Sequence, residues 1–463
     1  MRAGGASQRR SWQSGGTTVG RVADLLALSA RIIDSGLTDQ PVNRVTQELS
    51  EVADGIAMVE SFSHCVALST DDGLVCFDAS GAQSGQAVRD SLREWSRDRV
   101  SHLVYTHGHA DHIGGSMFFA DDRPMVVGHE NVAARMDRYE YTNNWNLLIN
   151  ARQFGGVSGD LNLTLGGDDA VAGSDGAPRR WRRFLPAATL RPETTFAAAG
   201  ELQVGGEVIE LHHDRGETDD HLWAWLPARK ALMTGDFLIW NFPNAGNPQK
   251  VQRYPIEWAA ALRKMIAKGP ELLLPAHGLP IEGAARISRV LDDVATALEN
   301  LVAEVVALMN AGANLDTIVH TARVPEETLA KPYLRPFYDE PEFVVRGIWR
   351  QFGGWWDGAA SRLKPSPDAH LAATIADLAG GPDVLLRRSE RAIADGDVRL
   401  ACHLADLAGW AAPADPEIHA GRAAVYLARR KTEPSLMAKG IFAAAARESQ
   451  AVVDEAADTA TGG

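Results

Sequence analysis

The chain contains little cysteine and no long apolar run, and each scarcity excludes a class of protein. Its 463 residues include three cysteines, Cys65, Cys76 and Cys402, with no C-x-x-C spacing. Three such thiols cannot form the disulfide framework of a small secreted domain, so we expect a reducing, cytoplasmic location. No segment approaches the roughly 18 to 20 consecutive apolar residues that a membrane-spanning helix requires, so we expect no membrane span.

Basic residues are also scarce relative to acidic ones. The chain has 46 Lys and Arg against 60 Asp and Glu, a formal net charge of −14, and no long Lys/Arg run. A phosphate backbone would meet net repulsion, so we expect no nucleic-acid partner. Hydrophobic residues make up 45% of the chain and charged residues 23%, which is typical of folded globular proteins. What this acidic chain does contain is 14 histidines, several of them close together.

The order of strand and helix patterns divides the chain into an α/β part and a helical part. We predict a tail and lead-in over 1–45, an α/β domain over 46–283, a helical domain over 284–450 and a flexible tail over 451–463. Short β-rich runs alternate with turns and helical patterns in the first part, as in layered α/β folds. A Gly- and Asp-rich stretch at 155–177 is predicted as a surface insertion. In the second part, a long amphipathic helix precedes Ala-rich segments patterned like helical hairpins of the tetratricopeptide type.

The strongest chemical signal is the segment T-H-G-H-A-D-H-I-G-G at 106–115. It places His107, His109, Asp111 and His112 directly after a predicted strand. Alternate residues of an extended segment point to the same side, so His107 and His109 share one side, whereas Asp111 and His112 stand at the turn into a helix and can face a second centre. Imidazole and carboxylate groups at this density are typical of metal sites. A loop of solvated histidines is the disfavoured alternative.

The H-x-H-x-D-H segment resembles the signature of the metallo-β-lactamase superfamily, whose αββα sandwich carries a two-metal site at the edge of its sheets. The resemblance implies a bridging carboxylate at Asp236, at the end of a T-G-D strand, and a last histidine ligand at His277, in P-A-H-G. It implies a third ligand at Glu217, in R-G-E-T-D-D-H, where most members carry His. Glutamate at this place resembles the alkyl sulfatase branch.

Three histidines near Glu217 compete for the place of the third ligand, namely His212, His213 and His221. His221 follows Glu217 by four residues, and the sequence leaves open whether it binds a metal or supports the ligands from behind. With Glu217 chosen, the implied ligand set is His107, His109 and Glu217 for one metal, Asp111, His112 and His277 for the other, and Asp236 between them.

The ligand set predicts two Zn²⁺ ions per chain, with Mn²⁺ or iron as alternatives, because imidazole and carboxylate ligands suit these metals. Two such ions about 3.5 to 4 Å apart lower the pKa of a shared water toward about 7 and clamp the attacked group. Asp111 and Asp236 are therefore the predicted catalytic residues.

The helical part carries a second resemblance. The stretch D-E-P-E-F-V-V-R-G-I-W-R-Q-F-G-G-W-W-D-G, followed by L-K-P at 363–365, is similar to the start of the alkyl sulfatase dimerisation domain. In that family this domain pairs two subunits, which implies a homodimer. We predict that Trp349, Trp355 and Trp356 pack in the core and the interface rather than contact a substrate.

Substrate contacts are predicted in two segments. Alkyl sulfatases hold sulfate with an Arg and nearby Asn and His after the bridging carboxylate, which is usually Glu in that branch. Here the stretch after Asp236 lacks that Arg and offers Asn244, Lys250 and Arg253. The two cations can bind an anion through charge-assisted hydrogen bonds. Tyr139, in an aromatic and polar stretch at 136–155, is a further candidate; a solvated surface or a packed wall is the alternative for these residues.

The two resemblances imply a dinuclear metal-dependent hydrolase that cleaves an alkyl or related organic sulfate ester, a small anionic substrate, with metal-activated water. The alternative, favoured by the altered sulfate stretch, is a hydrolase of another ester, amide, lactone or phosphodiester on the same two metals. A redox di-iron protein is disfavoured, because such members of the superfamily usually carry a flavodoxin-like domain and the second part of this chain is helical. A non-enzymatic interaction protein is disfavoured because all seven ligand positions are filled.

Overall fold

A computed structural model describes residues 24–154 and 183–461. The start of the predicted tail and the predicted insertion at 155–177 lie outside the described residues. The first sheet contains β1 Leu49–Ala53, β2 Ile56–Val59, β3 Cys65–Thr70, β4 Gly73–Phe77, β5 Val100–Val104, β6 Met125–His129 and β7 Thr194–Phe196. The second sheet contains β8 Ala199–Val204, β9 Glu207–His213, β10 Leu222–Leu226, β11 Ala231–Gly235, β12 Leu272–Pro275 and β13 Ile281–Glu282.

The helices fall into those that flank the sheets and those of the second part. The first group is α1 Leu25–Ser35, α2 Gly85–Trp95, α3 Ala110–Ile113, α4 Asn131–Tyr141, α5 Asn143–Phe154 and α6 Pro255–Ala267, with a 3-10 helix, Gly114–Asp122, after α3. The second group is α7 Ala284–Asn310, α8 Leu315–Thr321, α9 Glu326–Leu329, α10 Pro341–Gly353, α11 Ala360–Leu363, α12 Asp368–Ala379, α13 Pro382–Ala394, α14 Val398–Ala411, α15 Pro416–Thr432 and α16 Leu436–Thr461. No helix in the described ranges is long and apolar enough to cross a membrane.

Parallel strand pairs in both sheets direct the site-bearing loops to one edge. In the first sheet, β1 to β4 pair antiparallel in chain order, and β4 to β7 pair parallel. The second sheet has the order β13-β12-β11-β10-β9-β8, and β11 and β12 are its parallel pair. Neighbouring parallel strands end at the same edge, so the loops after β4 and β5 meet, as do those after β11 and β12.

The alternation of side chains along β4 separates two apolar cores. Val75 and Phe77 lie in the core that also buries Trp223 of the second sheet. Leu74 and Cys76 point to the opposite side and pack in the core that includes α2. The near-continuous apolar sequence of β4 follows from this burial on both faces. Helices α6 and α7 pack on the second sheet, and the αββα sandwich that the resemblance implied is confirmed.

The second part is all-helical, as predicted. The 27-residue helix α7 leads into α12 to α15, in which α13 packs against α14 and α14 against α15. The last helix, α16, continues through residues 451–461, most of the range in which we predicted a flexible tail. Residues 441–461 contain no Gly or Pro and are rich in Ala, which stabilises a helix more than any other residue.

The helical part is attached to the α/β part at the loop that follows β11. The backbone N–H of Phe242 donates to the carbonyl of Arg335 at 2.9 Å, and that of Gly246 donates to Asp339 Oδ2 at 2.7 Å. Helix α16 also packs against α5. At Gly440 a side-chain carbon would overlap the carbonyl of Gln153, so glycine is required for this approach.

We expect Gly246→Ala to destabilise the junction between the two parts. The added carbon would overlap the backbone of Phe343 and Val344 in α10, and such overpacking costs about 1 to 3 kcal/mol. Thermal unfolding followed by circular dichroism should show a lower midpoint than that of the unaltered chain. Gly200→Ala is the control, because the atoms nearest to its added carbon belong to the Phe196 side chain, at 3.4 Å or more, which is an ordinary van der Waals contact. Equal midpoints for the two variants would contradict the packing described.

Candidate metal centre

The seven residues of the predicted ligand set lie in four segments at one edge of the sandwich. The segments are the loop and short helix after β5, the β9–β10 loop, and the loops after β11 and β12. The structure brings all seven together in two clusters. One comprises His107, His109, Glu217 and Asp236, the other Asp111, His112 and His277, and within each cluster the ligand atoms lie within 4.8 Å of one another.

Asp236 lies between the two clusters. Its Oδ2 is 3.8 Å from His107 Nε2 and 3.4 Å from His112 Nε2. Its Oδ1 is 3.4 Å from His277 Nε2. The two oxygens of one buried carboxylate therefore face nitrogens of both clusters, which is the arrangement that a bridging ligand requires.

The donor atoms of the clusters fit divalent cations. Among the described residues, His112 Nε2, Glu217 Oε2 and Asp236 Oδ1 are buried and make no hydrogen bond. Buried polar atoms without a partner are costly unless another group satisfies them. Three such atoms belong to the predicted ligand set, and their nitrogen and oxygen chemistry matches that of Zn²⁺ ligands.

Electrostatics at the clusters also favour bound cations. Burial lowers the pKa of His107 and of His109 well below the ordinary value, so both rings stay neutral, the form that binds metals. Burial acts in the same direction on His112, but the carboxylates of Asp236 and Asp78 outweigh it and raise its pKa well above the ordinary value. The field at His112 therefore favours positive charge.

Asp78, directly after β4, contacts both ends of the ligand-bearing segment that follows β5, and it was not identified from the sequence. Its Oδ1 accepts the backbone N–H of Thr106 at 2.7 Å, and its Oδ2 accepts the Thr106 hydroxyl at 2.7 Å. The same Oδ2 lies 2.8 Å from His112 Nδ1, a contact that fixes the orientation of the ring. Its φ of 60° is unfavourable for a non-glycine residue. The sequence signal that could have identified Asp78 is its position at the end of a strand next to β5, because α/β sheets bind ligands at the carboxyl ends of their strands.

A buried ion pair positions the backbone between His107 and His109. Asp220 Oδ2 accepts the backbone N–H of Gly108 at 3.0 Å and Arg135 Nε at 2.9 Å. A side-chain carbon at Gly108 would lie 2.9 Å from both partners, so glycine is needed there. The sequence carried no signal for this pair, because an acidic and a basic residue 85 positions apart form no recognisable sequence pattern.

His221 lies behind the clusters. Its Nε2 accepts the backbone N–H of Asp236 at 3.1 Å, which occupies the lone pair that a metal would need. Its ring stacks on Phe237 at a centroid distance of 4.2 Å, and burial lowers its pKa to about 3. This geometry favours a supporting role over ligation. His212 and His213 stack on other rings outside both clusters.

Two of the predicted substrate contacts bind Glu217 instead of presenting free donors. Arg253 Nη1 lies 2.7 Å from Glu217 Oε1 and donates to the Glu217 carbonyl at 2.6 Å. Asn244 Nδ2 donates to the same Oε1. Burial raises the pKa of Glu217 well above its ordinary value, and the charge of Arg253 opposes this rise. A buried carboxylate needs such partners, and they leave Oε2 without a hydrogen bond.

A cavity of about 550 Å³ lies beside the clusters. Its wall includes Asp111, Glu217, Asp236 and His277 of the predicted ligand set. Apolar and aromatic side chains form much of the remaining wall, among them Phe62, Trp145, Ile149 and Phe154. Tyr338 and Leu436 of the helical part complete it, so both parts of the chain enclose the space.

The other two predicted substrate contacts, Lys250 and Tyr139, line this cavity. The half-buried Lys250 donates from Nζ to Asn150 Oδ1 at 3.3 Å. Burial, and then the charge of Arg253, lower its pKa to about 8. Tyr139 is buried and packs edge-on against Phe184 at a centroid distance of 5.0 Å. Lys250 is therefore the predicted contact that keeps donors free for an anion.

Family comparison agrees with this architecture. The metallo-beta-lactamase superfamily matches residues 58–277, and alkyl sulfatase dimerisation matches residues 314–451. Residues 58–277 are therefore a domain of the metallo-β-lactamase superfamily, and a helical domain of the alkyl sulfatase dimerisation family follows it.

Individual relatives share both parts. A linear primary-alkylsulfatase of a Pseudomonas species is 26% identical over 362 residues, which cover 75% of this chain and 66% of that protein. An (R)-specific secondary-alkylsulfatase of Pseudomonas is 25% identical over 362 residues, or 76% of this chain and 54% of that protein. The solved structure of the stereoselective inverting sec-alkylsulfatase Pisa1 from Pseudomonas shares the fold, with a TM-score of 0.74, 21% identity and coverage of 87% of this chain and 66% of that one. The chain thus spans between 54% and 66% of the length of these proteins.

We expect Asp236→Asn to lower the amount of metal that the protein retains. The substitution removes a carboxylate ligand and one negative charge between two cation sites, so metal affinity should fall by about a hundredfold or more. Mass spectrometry of metals after dialysis against Zn²⁺ buffers provides the measurement. His320→Ala is the control, because this exposed histidine of α8 contacts only Asp316, at 3.7 Å, among the described carboxylates. Equal metal content in the two variants would argue against a metal centre around Asp236.

Proposed function

We propose that this protein is a metal-dependent hydrolase of organic sulfate esters, with alkyl sulfates as the substrate class. The observation that carries the proposal is the position of both ligand clusters on the wall of a cavity that combines apolar side chains with the cation Lys250. An alkyl sulfate has the matching composition, an apolar chain and a charged head. Similarity to alkylsulfatases over three quarters of the chain supports the same assignment.

Within the proposal, each cluster would hold one divalent ion, and Asp236 would be available as a ligand to both. Two divalent ions at such a site supply a water of lowered pKa and electrostatic stabilisation of the attacked group. Arg253 and Asn244 keep Glu217 in a ligating orientation. The side chain of Asp111 is 33% exposed, against 6% for Asp236. Asp111 is thus the carboxylate that can accept a proton from the attacking water and release it to the cavity.

The cavity wall gives each half of the substrate a place. Lys250 would bind the sulfate head through its free Nζ donors. The ring of Phe62 lies 5.4 Å from that of His277 and 6.5 Å from that of Phe154. Apolar surface therefore begins directly beside a ligand, so a chain attached to an ester at the clusters would contact Phe62 and Phe154.

The finer assignments are also part of the proposal. Two Zn²⁺ ions are the preferred metals, because the clusters provide four imidazole and three carboxylate donors. A homodimer formed through the helical domain is supported by the dimerisation family match over 314–451. A cytoplasmic location is supported by Cys65, Cys76 and Cys402, which are free thiols.

A substrate screen tests the function directly. We expect the Zn²⁺- or Mn²⁺-loaded protein to release sulfate from octyl sulfate below its micelle concentration faster than it turns over p-nitrophenyl sulfate, bis(p-nitrophenyl) phosphate or a lactone. Asp111→Asn should lower kcat by about a hundredfold or more, whereas the surface variant Asp137→Asn should not. Incorporation of ¹⁸O from water into sulfate or into alcohol then distinguishes S–O from C–O cleavage. Turnover of the phosphodiester or lactone alone would contradict the proposal.

Affinity for an anionic substrate should fall as the pH rises through about 8. Lys250 is cationic below its pKa of about 8 and neutral above it, so KM should increase on the alkaline side by about tenfold or more, the value of one charge-assisted hydrogen bond. Lys250→Arg should abolish this alkaline rise, because a guanidinium stays charged. Lys250→Met should raise KM at every pH, and Lys230→Met, on the surface, should not. A pH profile of KM identical in all four proteins would exclude Lys250 from binding.

A further inference from the structure

An exposed apolar face borders the mouth of the cavity. Tyr141, Trp145 and Leu148 are 80%, 55% and 50% exposed, and they follow one another at spacings of four and three along α4 and α5. Within α5 the spacing of three places Trp145 and Leu148 on the same side of the helix, and Tyr141 ends α4 directly before α5 begins. No charged residue occurs between Tyr141 and Ala151. An aromatic and aliphatic stripe of this kind, left open to water, marks an interaction surface.

Two other segments extend this face around the mouth. Trp145 lines the cavity together with Val251 and Phe337, which are 45% and 50% exposed. Val251 lies between β11 and α6, and Phe337 lies before α10 in the helical part. Three separate parts of the chain therefore bring exposed apolar side chains to one opening. We call Tyr141, Trp145, Leu148, Val251 and Phe337 the apolar rim.

The charges inside the rim are basic. Every acidic residue on the described cavity wall, namely Asp111, Glu217 and Asp236, belongs to the ligand clusters. Arg138 lies over the ring of Tyr139 and Lys250 donates to Asn150, and neither forms an ion pair with a described carboxylate. The net charge of −14 acts weakly here, because charges beyond a Debye length of about 8 Å are screened at physiological salt. The local cations therefore determine which surface the rim accepts.

We propose that the apolar rim docks the mouth of the cavity on an anionic lipid–water interface, from which an amphiphilic substrate enters without passing through bulk water. Trp and Tyr are suited to this boundary, because their rings are apolar and carry a polar group. Arg138 and Lys250 face the anionic headgroups while the rim enters the apolar layer. The identity of the substrate rests on the function proposed above, whereas the docking itself requires no hydrolysis.

Vesicle binding by the full-length protein tests the docking. The protein should co-sediment with vesicles of equal parts phosphatidylglycerol and phosphatidylcholine. Its partition coefficient there should be at least about tenfold higher than with vesicles of phosphatidylcholine alone. The double variant Tyr141→Ser, Leu148→Ser should lower this partition by about tenfold or more. The matched control is Leu371→Ser, Leu378→Ser on α12, whose side chains are 50% and 83% exposed; it should bind as the unaltered protein does.

Three results would overturn the proposal. The first is absence of binding to the anionic vesicles, and the second is equal binding to both kinds of vesicle. The third is an equal loss of vesicle binding in the two double variants. Light scattering adds a fourth, because a dimer that dissociates in Tyr141→Ser, Leu148→Ser would show that a second copy covers the face. Hydrolysis of monomeric octyl sulfate should be unchanged in this variant, since neither residue lines the cavity. Vesicle binding without any hydrolysis would refute the proposed function alone, and hydrolysis without binding would refute the docking alone.

Discussion

The concentration of negative charge at one edge of the sandwich is the constraint on which the rest of the site depends. Asp236 is buried between the two clusters, with Glu217 and Asp111 close by. Carboxylates removed from water and placed near one another repel unless cations or donors compensate them. Arg253 compensates Glu217 in part, and the histidines face Asp236. The buried donor atoms that stay without a hydrogen bond lie where divalent cations would satisfy them.

A layer of supporting residues converts these loops into a defined geometry. Asp78 joins the end of β4 to Thr106 and His112. His221 holds the backbone of Asp236, and Asp220 holds that of Gly108. Each support comes from a different strand end or loop, so the ligand positions are determined by both sheets together. Substitutions in this layer would disturb metal ligands that they do not replace.

Sequence patterns were sufficient for the layers of the fold, and the structure brings the seven residues of the predicted ligand set together at one edge. These patterns were not sufficient for the direction of side chains. Asn244 and Arg253 were predicted as substrate contacts, but in the structure they bind Glu217. Asp78 and Arg135 stand singly in the sequence, so no spacing distinguished them from other charged residues. The short edge strands β1, β7, β8 and β13 have too few apolar residues to form the β-rich runs that predicted their neighbours.

The contribution of Tyr338 and Leu436 to the cavity wall has a consequence for how the protein is made. A ribosome releases the chain from its N-terminus, and domains generally fold in that order. All seven residues of the predicted ligand set, the last being His277, emerge before the linker that carries Tyr338, and long before α16. A nascent α/β domain can therefore gather its metal donors while the space beside them is still open on one side. Enclosure of that space is a later event in biogenesis, because it requires Leu436 at the start of α16 to have left the ribosome.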